Sequence, residues 1–464
     1  MFLTAVGDMG CRRSMEATGA RRAAALATGV ALLFTGACDT DKGGGRADDK
    51  APTATLPVTS PTATAPVPRG RGSKVADDVN GDGYPDFAYS AECGAYEPAR
   101  AYRKSCLVVL YGSAHGLDPA VHTLLEPGDA ALPKYVDAHP TWNPSLVDLD
   151  GDGYADIKYG AFVVWGGPTG PRPDTPDSTL PDGTTGPGDF DGDGHPDLAA
   201  ASDPFRILYG PFDRKARPSR TDPDGLAPIT GSFAEGEGGL SAGDADGDDK
   251  TDLVASARGY NGEPTLVLLH TGPAGSDAPA QRLRSGSSLA FGDFDGDGKG
   301  DIAVGHNGNR SDDEDDVDET EAPAVHDTLT VYPGDGGTPH QLKDVLGYFI
   351  TGDLDGDGCD ELLVNPHTGP DITVLHGSPG GLGSRSILRR TGPSRVPGTK
   401  RAVASYNRYA IVSTVRDFDG DGHAEAVLRW SLPSGDGPSQ WWIVEDGKDV
   451  RAFTDQPFTD ASVT

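Results

Sequence analysis

The sequence predicts an all-β protein, a seven-bladed β-propeller with a metal-binding hairpin loop in each blade. Three observations lead there: a nine-residue segment of acids and glycines recurs seven times, short strand-like apolar runs flank every copy, and a further strand ending in a glycine turn follows most copies. Composition agrees. Gly and Pro account for 65 and 38 of 464 residues, while hydrophobic residues are 36% and aromatics 7%. That is too much turn chemistry for a helical bundle and too little apolar content for a membrane protein. With 71 acidic residues against 39 basic, the net charge is −32. Such a surface repels phosphate backbones, which excludes nucleic acid as a partner. The surplus belongs either to a solvated acidic coil or to a set of bound cations.

The chain opens with a leader. Arg12, Arg13, Arg21 and Arg22 precede an apolar and small-residue run from Ala23 to Ala37. A positive flank and about fifteen apolar residues describe a signal peptide over 1–37, too short for a good spanning helix. Thr35-Gly36-Ala37-Cys38 resembles a bacterial lipobox, in which Cys38 is lipidated and becomes the mature N-terminus. The alternative is an ordinary cleaved signal with an incidental cysteine. Residues 38–71 are polar, then rich in Pro and Thr without periodicity, as in "APTATLPVTSPTATAPVPRG". Such a stretch buries no core and reads as a flexible tether. Cys93 and Cys106 bracket a short insert and form a disulfide in an oxidising exterior, leaving Cys359 unpaired. No Cys/His spacing suggests zinc.

The repeat occupies Asp78–Asp86, Asp148–Asp156, Asp189–Asp197, Asp244–Asp252, Asp293–Asp301, Asp353–Glu361 and Asp417–Glu425, here loops 1 to 7. Oxygen-bearing side chains at positions 1, 3 and 5 converge if the backbone curls, and Gly at positions 4 and 6 permits the curl because it takes positive φ without steric cost. Position 1 is Asp78, Asp148, Asp189, Asp244, Asp293, Asp353 and Asp417; position 3 is Asn80, Asp150, Asp191, Asp246, Asp295, Asp355 and Asp419. Position 5 is Asp82, Asp152, Asp193, Asp248, Asp297, Asp357 and Asp421. Position 7 varies (Tyr84, Tyr154, His195, Lys250, Lys299, Cys359, His423) and so offers its carbonyl. An acid at position 9 closes the cage: Asp86, Asp156, Asp197, Asp252, Asp301, Glu361 and Glu425. Six or seven hard oxygens on a flexible loop suit Ca²⁺, whereas Mg²⁺ wants a stricter octahedron. An EF-hand needs an acid at position 12, where this chain has Tyr89, Tyr159, Ala200, Ala255, Val304, Val364 and Leu428. The helix-loop-helix reading is excluded.

Position 9 leads into runs such as "IAVG" and "LLVN", and runs such as "SLAFG" and "YFITG" precede position 1, so each loop joins two strands of a hairpin. "LVVLYGSAHGLD", "FVVWGGPTGP", "RILYGPF" and "ITVLHGSPGGLG" then supply a third strand turning towards a fourth. Four strands per unit and seven units place the propeller over 72–457, with a short tail at 458–464.

These loops, with the glycine-ended strand after them, resemble the FG-GAP (VCBS-type) repeats of the integrin α-subunit head and of many bacterial surface proteins. The resemblance implies Ca²⁺ held in hairpin loops on one rim and partners met on a face of the disc. Two positions depart from the pattern: Asp249 replaces Gly at position 6 of loop 4, and Asn80 replaces Asp at position 3 of loop 1.

Without metal, each loop packs three or four carboxylates that repel one another, which gives Ca²⁺ a structural role by linkage. The acid run Ser311–Glu321 reads as a solvated insert, with a weak cation or basic-partner site as its alternative. Trp441 and Trp442 offer a carbohydrate platform, although alternation along a strand sends at least one into the core. No catalytic motif is present. The expectation is an exported, monomeric module, lipid-anchored at the cell surface or secreted, that binds an extracellular protein or glycan and meets a membrane only through its lipid. The alternatives are a polysaccharide lyase or glycosidase with a site in the central channel, and a stabilising subunit of a larger surface assembly.

Overall fold

The computed structural model describes residues 56–59, 64–97, 102–126, 128, 144–172, 178–181, 184–200, 206–221, 240–258, 264–269, 271–272, 275–276, 281–308, 327–433 and 437–456. The leader, Cys38, the acid run Ser311–Glu321 and the tail 458–464 lie outside them. No helix among the described residues is long and apolar enough to cross a membrane.

The protein is an all-β propeller. The first sheet contains β1 (Phe87–Glu97), β2 (Tyr102–Leu110) and β3 (His122–Leu125); the second contains β4 (Ser145–Val147), β5 (Asp156–Tyr159) and β6 (Phe162–Val164). The third runs β7 (Thr184–Gly188), β8 (Asp197–Ala200), β9 (Arg206–Tyr209) and β10 (Arg220–Thr221). In the fourth, β11 (Leu240–Gly243), β12 (Asp252–Arg258) and β13 (Pro264–Leu269) are joined by β16 (Gln281–Arg282), after a two-stranded ribbon of β14 (Thr271–Gly272) and β15 (Gly275–Ser276). The last three sheets are β17 (Ser288–Gly292) to β20 (His340–Lys343), β21 (Tyr348–Gly352) to β24 (Arg385–Leu388), and β25 (Ile411–Arg416) to β28 (Lys448–Thr454). Between their ends lie β18 (Asp301–Gly305) and β19 (Thr328–Tyr332), β22 (Glu361–Asn365) and β23 (Ile372–Leu375), and β26 (Glu425–Trp430) and β27 (Gln440–Glu445).

Six blades, not seven, have the expected form, in which an inner strand runs into an acidic loop and out along an antiparallel partner. In the first unit, among the described residues, the chain reaches loop 1 without an inner strand, and its sheet starts at β1. The expectation of four strands everywhere is also corrected, since the first two sheets have three each among the described residues.

Burial follows position within the blade. The second strands β18 and β22 are buried along their whole length because sheets stack on both of their faces. Their sequences, DIAVG and ELLVN, accordingly run apolar after the first acid. Outer strands such as β20 and β24 are largely exposed. The same two-sided burial overturns the carbohydrate platform: Trp441 is 1% exposed and Trp442 4%. Trp441 packs with Phe87, Tyr89 and Phe453, where the last blade meets the first sheet, while Trp442 faces the blade before it. Neither is available to a sugar.

Neighbouring units are joined rim to rim. The position 8 N–H of each loop donates to the position 1 carbonyl of the preceding loop: Ala155 to Asp78, Thr251 to Asp189, Gly300 to Asp244, Asp360 to Asp293 and Ala424 to Asp353, at 2.7–2.8 Å. Pro85 and Pro196 have no N–H at this position. There the link is carried by Ser113 N–H to Phe418 O (3.2 Å) and Phe212 N–H to Leu149 O (2.7 Å).

The expected tether does not hang free where it is described. Thr59 N–H donates to Ala452 O of β28, Ala65 N–H to Ala120 O beside the first sheet, and Gly70 N–H to Pro168 O of the second unit. Val67 packs into the core between the first two sheets. Residues 56–59 and 64–73 therefore form a strap across the junction of the last, first and second units.

Candidate metal centres

Each loop is built around its position 1 aspartate. In loop 6, Asp353 Oδ1 accepts from the N–H of Gly356 (2.8 Å) and Asp357 (3.2 Å), and Oδ2 from that of Gly358 (2.9 Å). Loops 3 and 7 repeat the pattern on Asp189 and Asp417. The position 5 carboxylate then accepts from position 7, as Asp357 does from Cys359 (2.9 Å) and Asp421 from His423 (2.9 Å). These bonds need two left-handed residues per loop. Position 4 glycines have φ of 70–76° and position 6 glycines 85–100°, while Asp249 is held at 65° in the same turn. Its N–H still reaches Asp244 Oδ2 at 3.0 Å.

The position 9 acid does something the spacing did not reveal. In all seven loops one of its oxygens accepts from the position 2 N–H, at 2.7–3.1 Å. Its other oxygen accepts from the glycine that ends the third strand: Gly112 to Asp86 (2.9 Å), Gly166 to Asp156 (2.8 Å), Gly210 to Asp197 (2.7 Å), Gly334 to Asp301 (2.9 Å) and Gly377 to Glu361 (3.4 Å). A Cβ on Gly112 or Gly166 would stand 2.2 Å from the carbonyl oxygen of Pro85 or Ala155, so only glycine brings its N–H this close. The glycine after the aromatic in "YG" and "WG" was the signal for this staple.

Burial disfavours the charged form of the loop carboxyls. It is the leading cause that pushes the carboxyls of Asp197, Glu361 and Glu425 up to about 7, and those of Asp150 and Asp301 up to about 6. Carboxylate oxygens cluster at Asp148, Asp150 and Asp156; at Asp189, Asp191 and Asp197; at Asp244, Asp246 and Asp248; and at Asp293, Asp295 and Asp297. In each group the oxygens lie within 4.8 Å of one another. Asp150 Oδ1 and Asp191 Oδ1 are buried without a hydrogen-bond partner. Hard anionic oxygens left unpaired at a shared point fit a divalent cation of the oxygen-seeking kind.

The loops are not equivalent. Loop 1 does not fit a cation: Asp78 and Asn80 are fully buried beneath the strap. Ser73 Oγ donates to Asp78 Oδ2 (2.7 Å), and the Asn80 side-chain amide donates to Asp82 Oδ2 (3.0 Å) and to Pro68 O (3.3 Å). Donor hydrogens stand where positive charge would be needed, and an aspartate at position 3 could not supply them. Asp78, Asn80, Asp82, Tyr84 and Asp86 thus form a strap anchor. In loops 2 and 3 arginines reach in: Arg214 pairs with Asp150 (2.6 Å) and Asp152 (2.7 Å), and Arg220 with Asp191 (2.6 Å). Loop 4 has Lys250 paired with Asp248. Among the described residues, no lysine or arginine pairs with loops 5, 6 or 7.

Of the remaining expected residues, His195 and His423 take part through their backbones, with the His423 ring turned to Asp446 (3.8 Å). Cys93 and Cys106 form a disulfide, with Cα atoms 5.8 Å apart, and Cys359 is free and buried.

Residues 285–313, which span β17, loop 5 and the whole of β18, match the family model of the FG-GAP repeat. No curated protein matches the chain. Among solved structures, it is similar to the V. cholerae biofilm matrix protein Bap1 at 11% identity, over 83% of this chain and 92% of that one, with a TM-score of 0.32. It is similar to BBS1N, solved in complex with ARL6DN, at 11% identity over 80% and 96%, with a TM-score of 0.38. A Bacillus licheniformis rhamnogalacturonan lyase is 15% identical over 83% and 76%, with a TM-score of 0.26. At these scores the likeness carries no argument about function. One unit of this all-β propeller, the stretch 285–313, therefore matches the FG-GAP repeat.

Proposed function

We propose that the protein is an exported propeller that holds Ca²⁺ in loops 2 to 7 and acts as a binding module for an extracellular protein or a glycan, with no chemistry of its own. The observation that carries the metal reading is the loop 5 cluster of Asp293, Asp295 and Asp297, whose oxygens lie within 4.8 Å of one another with no lysine or arginine paired to them among the described residues. The first sheet packs against the last blade on one side and the second unit on the other. The ion's role is structural, because every loop lies at the seam between two units and unrelieved repulsion there opposes closure. Export is favoured by the basic and apolar leader, and the disulfide of Cys93 and Cys106 suits an oxidising compartment. Lipidation of Cys38 would anchor the module to a membrane surface.

A thermal melt with and without chelator, paired with calcium stoichiometry, tests the metal. An unchanged melting point after chelation overturns the structural role. Glycan and protein arrays, followed by a turnover assay on any hit, test the module. Cleavage of a polysaccharide, lost on mutating a channel residue outside the loops, would instead establish the lyase or glycosidase. Labelling with a palmitate analogue, compared between the native chain and Cys38→Ala, tests the anchor.

A further inference from the structure

Among the carboxylate clusters described above, loop 6 stands apart in one atom type. Asp355 at position 3 and Glu361 at position 9 come together with the imidazole of His376, and their ligand atoms lie within 4.8 Å of one another. His376 stands immediately before the staple glycine of its unit, where the first three units have Tyr111, Trp165 and Tyr209. Those side chains bring no nitrogen ligand to their loops. Tyr111, for example, directs its hydroxyl to Thr123 Oγ1 at 2.7 Å.

Three details bear on how the ring and the acid are placed. His376 Nδ1 lies 3.6 Å from Glu361 Oε1, within ion-pair range of a protonated ring but too far for a hydrogen bond. The staple bond from Gly377 to that same oxygen is stretched to 3.4 Å, where the other four measure 2.7–2.9 Å. The far nitrogen, Nε2, is held by Ser386 Oγ on β24 at 2.8 Å, which orients the ring with Nδ1 facing the acids. A hydrogen bond on the remote nitrogen is the usual means of aiming an imidazole at a metal. The backbone is fixed as well, since His376 N–H donates to Ser384 O and its carbonyl accepts from Gly383.

We propose that loop 6 is a mixed nitrogen–oxygen site, with Asp355, Glu361 and His376 as side-chain ligands, that takes Zn²⁺ in preference to Ca²⁺. This rests on the reading that the loops bind cations. Imidazole contributes little to a hard ion such as Ca²⁺ but strengthens binding of borderline metals, so one nitrogen shifts the preference of an otherwise oxygen-only cage.

The test is calorimetric titration of Zn²⁺ into the full chain saturated with Ca²⁺, repeated with Co²⁺ to read a nitrogen ligand in its visible spectrum. His376→Tyr places at this position the residue found in the first and third units. The expected result is one Zn²⁺ bound by the native protein, weakened at least about tenfold in H376Y, while calcium binding elsewhere and the melting point in Ca²⁺ are unchanged. If H376Y fails to fold, His376→Gln serves with the same readout. Zn²⁺ binding that is equal in the native and variant chains is adventitious and overturns the proposal. So does calcium binding without any Zn²⁺ binding, which leaves the calcium reading intact. Failure to bind either cation overturns both.

Discussion

Replacing Asp301 by alanine separates the staple from the metal. Asp301 is 3% exposed, and it accepts from Phe294 N–H at 3.1 Å and Gly334 N–H at 2.9 Å. Alanine leaves both donors buried without a partner, at about 1–3 kcal/mol each, so the expected loss is about 2–6 kcal/mol. None of this loss requires a cation. Asp295→Asn, at position 3 of the same loop, removes one ligand charge and leaves both staple bonds in place. Equilibrium urea unfolding should therefore show D301A strongly destabilised in chelator and in Ca²⁺ alike. D295N, relieved of one repelling charge, should equal or exceed the native chain in chelator and fall behind only when Ca²⁺ is present. If D301A loses less than about 1 kcal/mol in chelator, or D295N loses as much as D301A there, the division of labour within the loop is wrong.

Three more expectations follow from the same geometry. At position 9, Asp86, Asp156, Asp197, Asp301, Glu361 and Glu425 have folded-state pKa values raised by burial, to about 7 for Asp197, Glu361 and Glu425. Their contribution to the metal-free fold is thus full below the ordinary carboxylate range near ~4 and lost as pH rises through about 7. In chelator the melting point should fall between pH 5 and 8, and saturating Ca²⁺ should remove that slope; a rise in chelator would refute the assignment. Mass spectrometry of the folded chain should find no more than six loop-bound ions, because loop 1 is filled by Ser73 and Asn80 donors, and a seventh would show that this loop opens. Asp249→Gly relieves a left-handed non-glycine residue at φ 65° and should stabilise the protein by about 1 kcal/mol, read as a shift in urea midpoint at unchanged slope.

Much of the fold was legible because its decisive interactions are local. A loop whose position 1 acid caps positions 4, 5 and 6 needs only residues within nine places of one another, and Gly at positions 4 and 6 announces the two left-handed turns. Strand identity followed because β18 and β22 combine β-branched and apolar residues over lengths that a strand spans. Asp249 could be singled out for the same reason: its position alone demanded a positive φ.

What the chain alone could not disclose depends on contacts across many residues. That loop 1 lies under a strap required knowing that Gly70 passes so close to it that a Cβ there would stand 2.1 Å from the carbonyl carbon of Gly81. That Trp441 and Trp442 are both buried required the stacking of sheets on each face of β27. His376 is 15 residues beyond Glu361 and enters its site only because β22 and β23 pair antiparallel and return it to the loop's mouth. Turn chemistry is written residue by residue. Which loop is covered, which is neutralised by arginine and which gains an imidazole is set by how units pack around the ring, where separation along the chain gives no measure of distance in space.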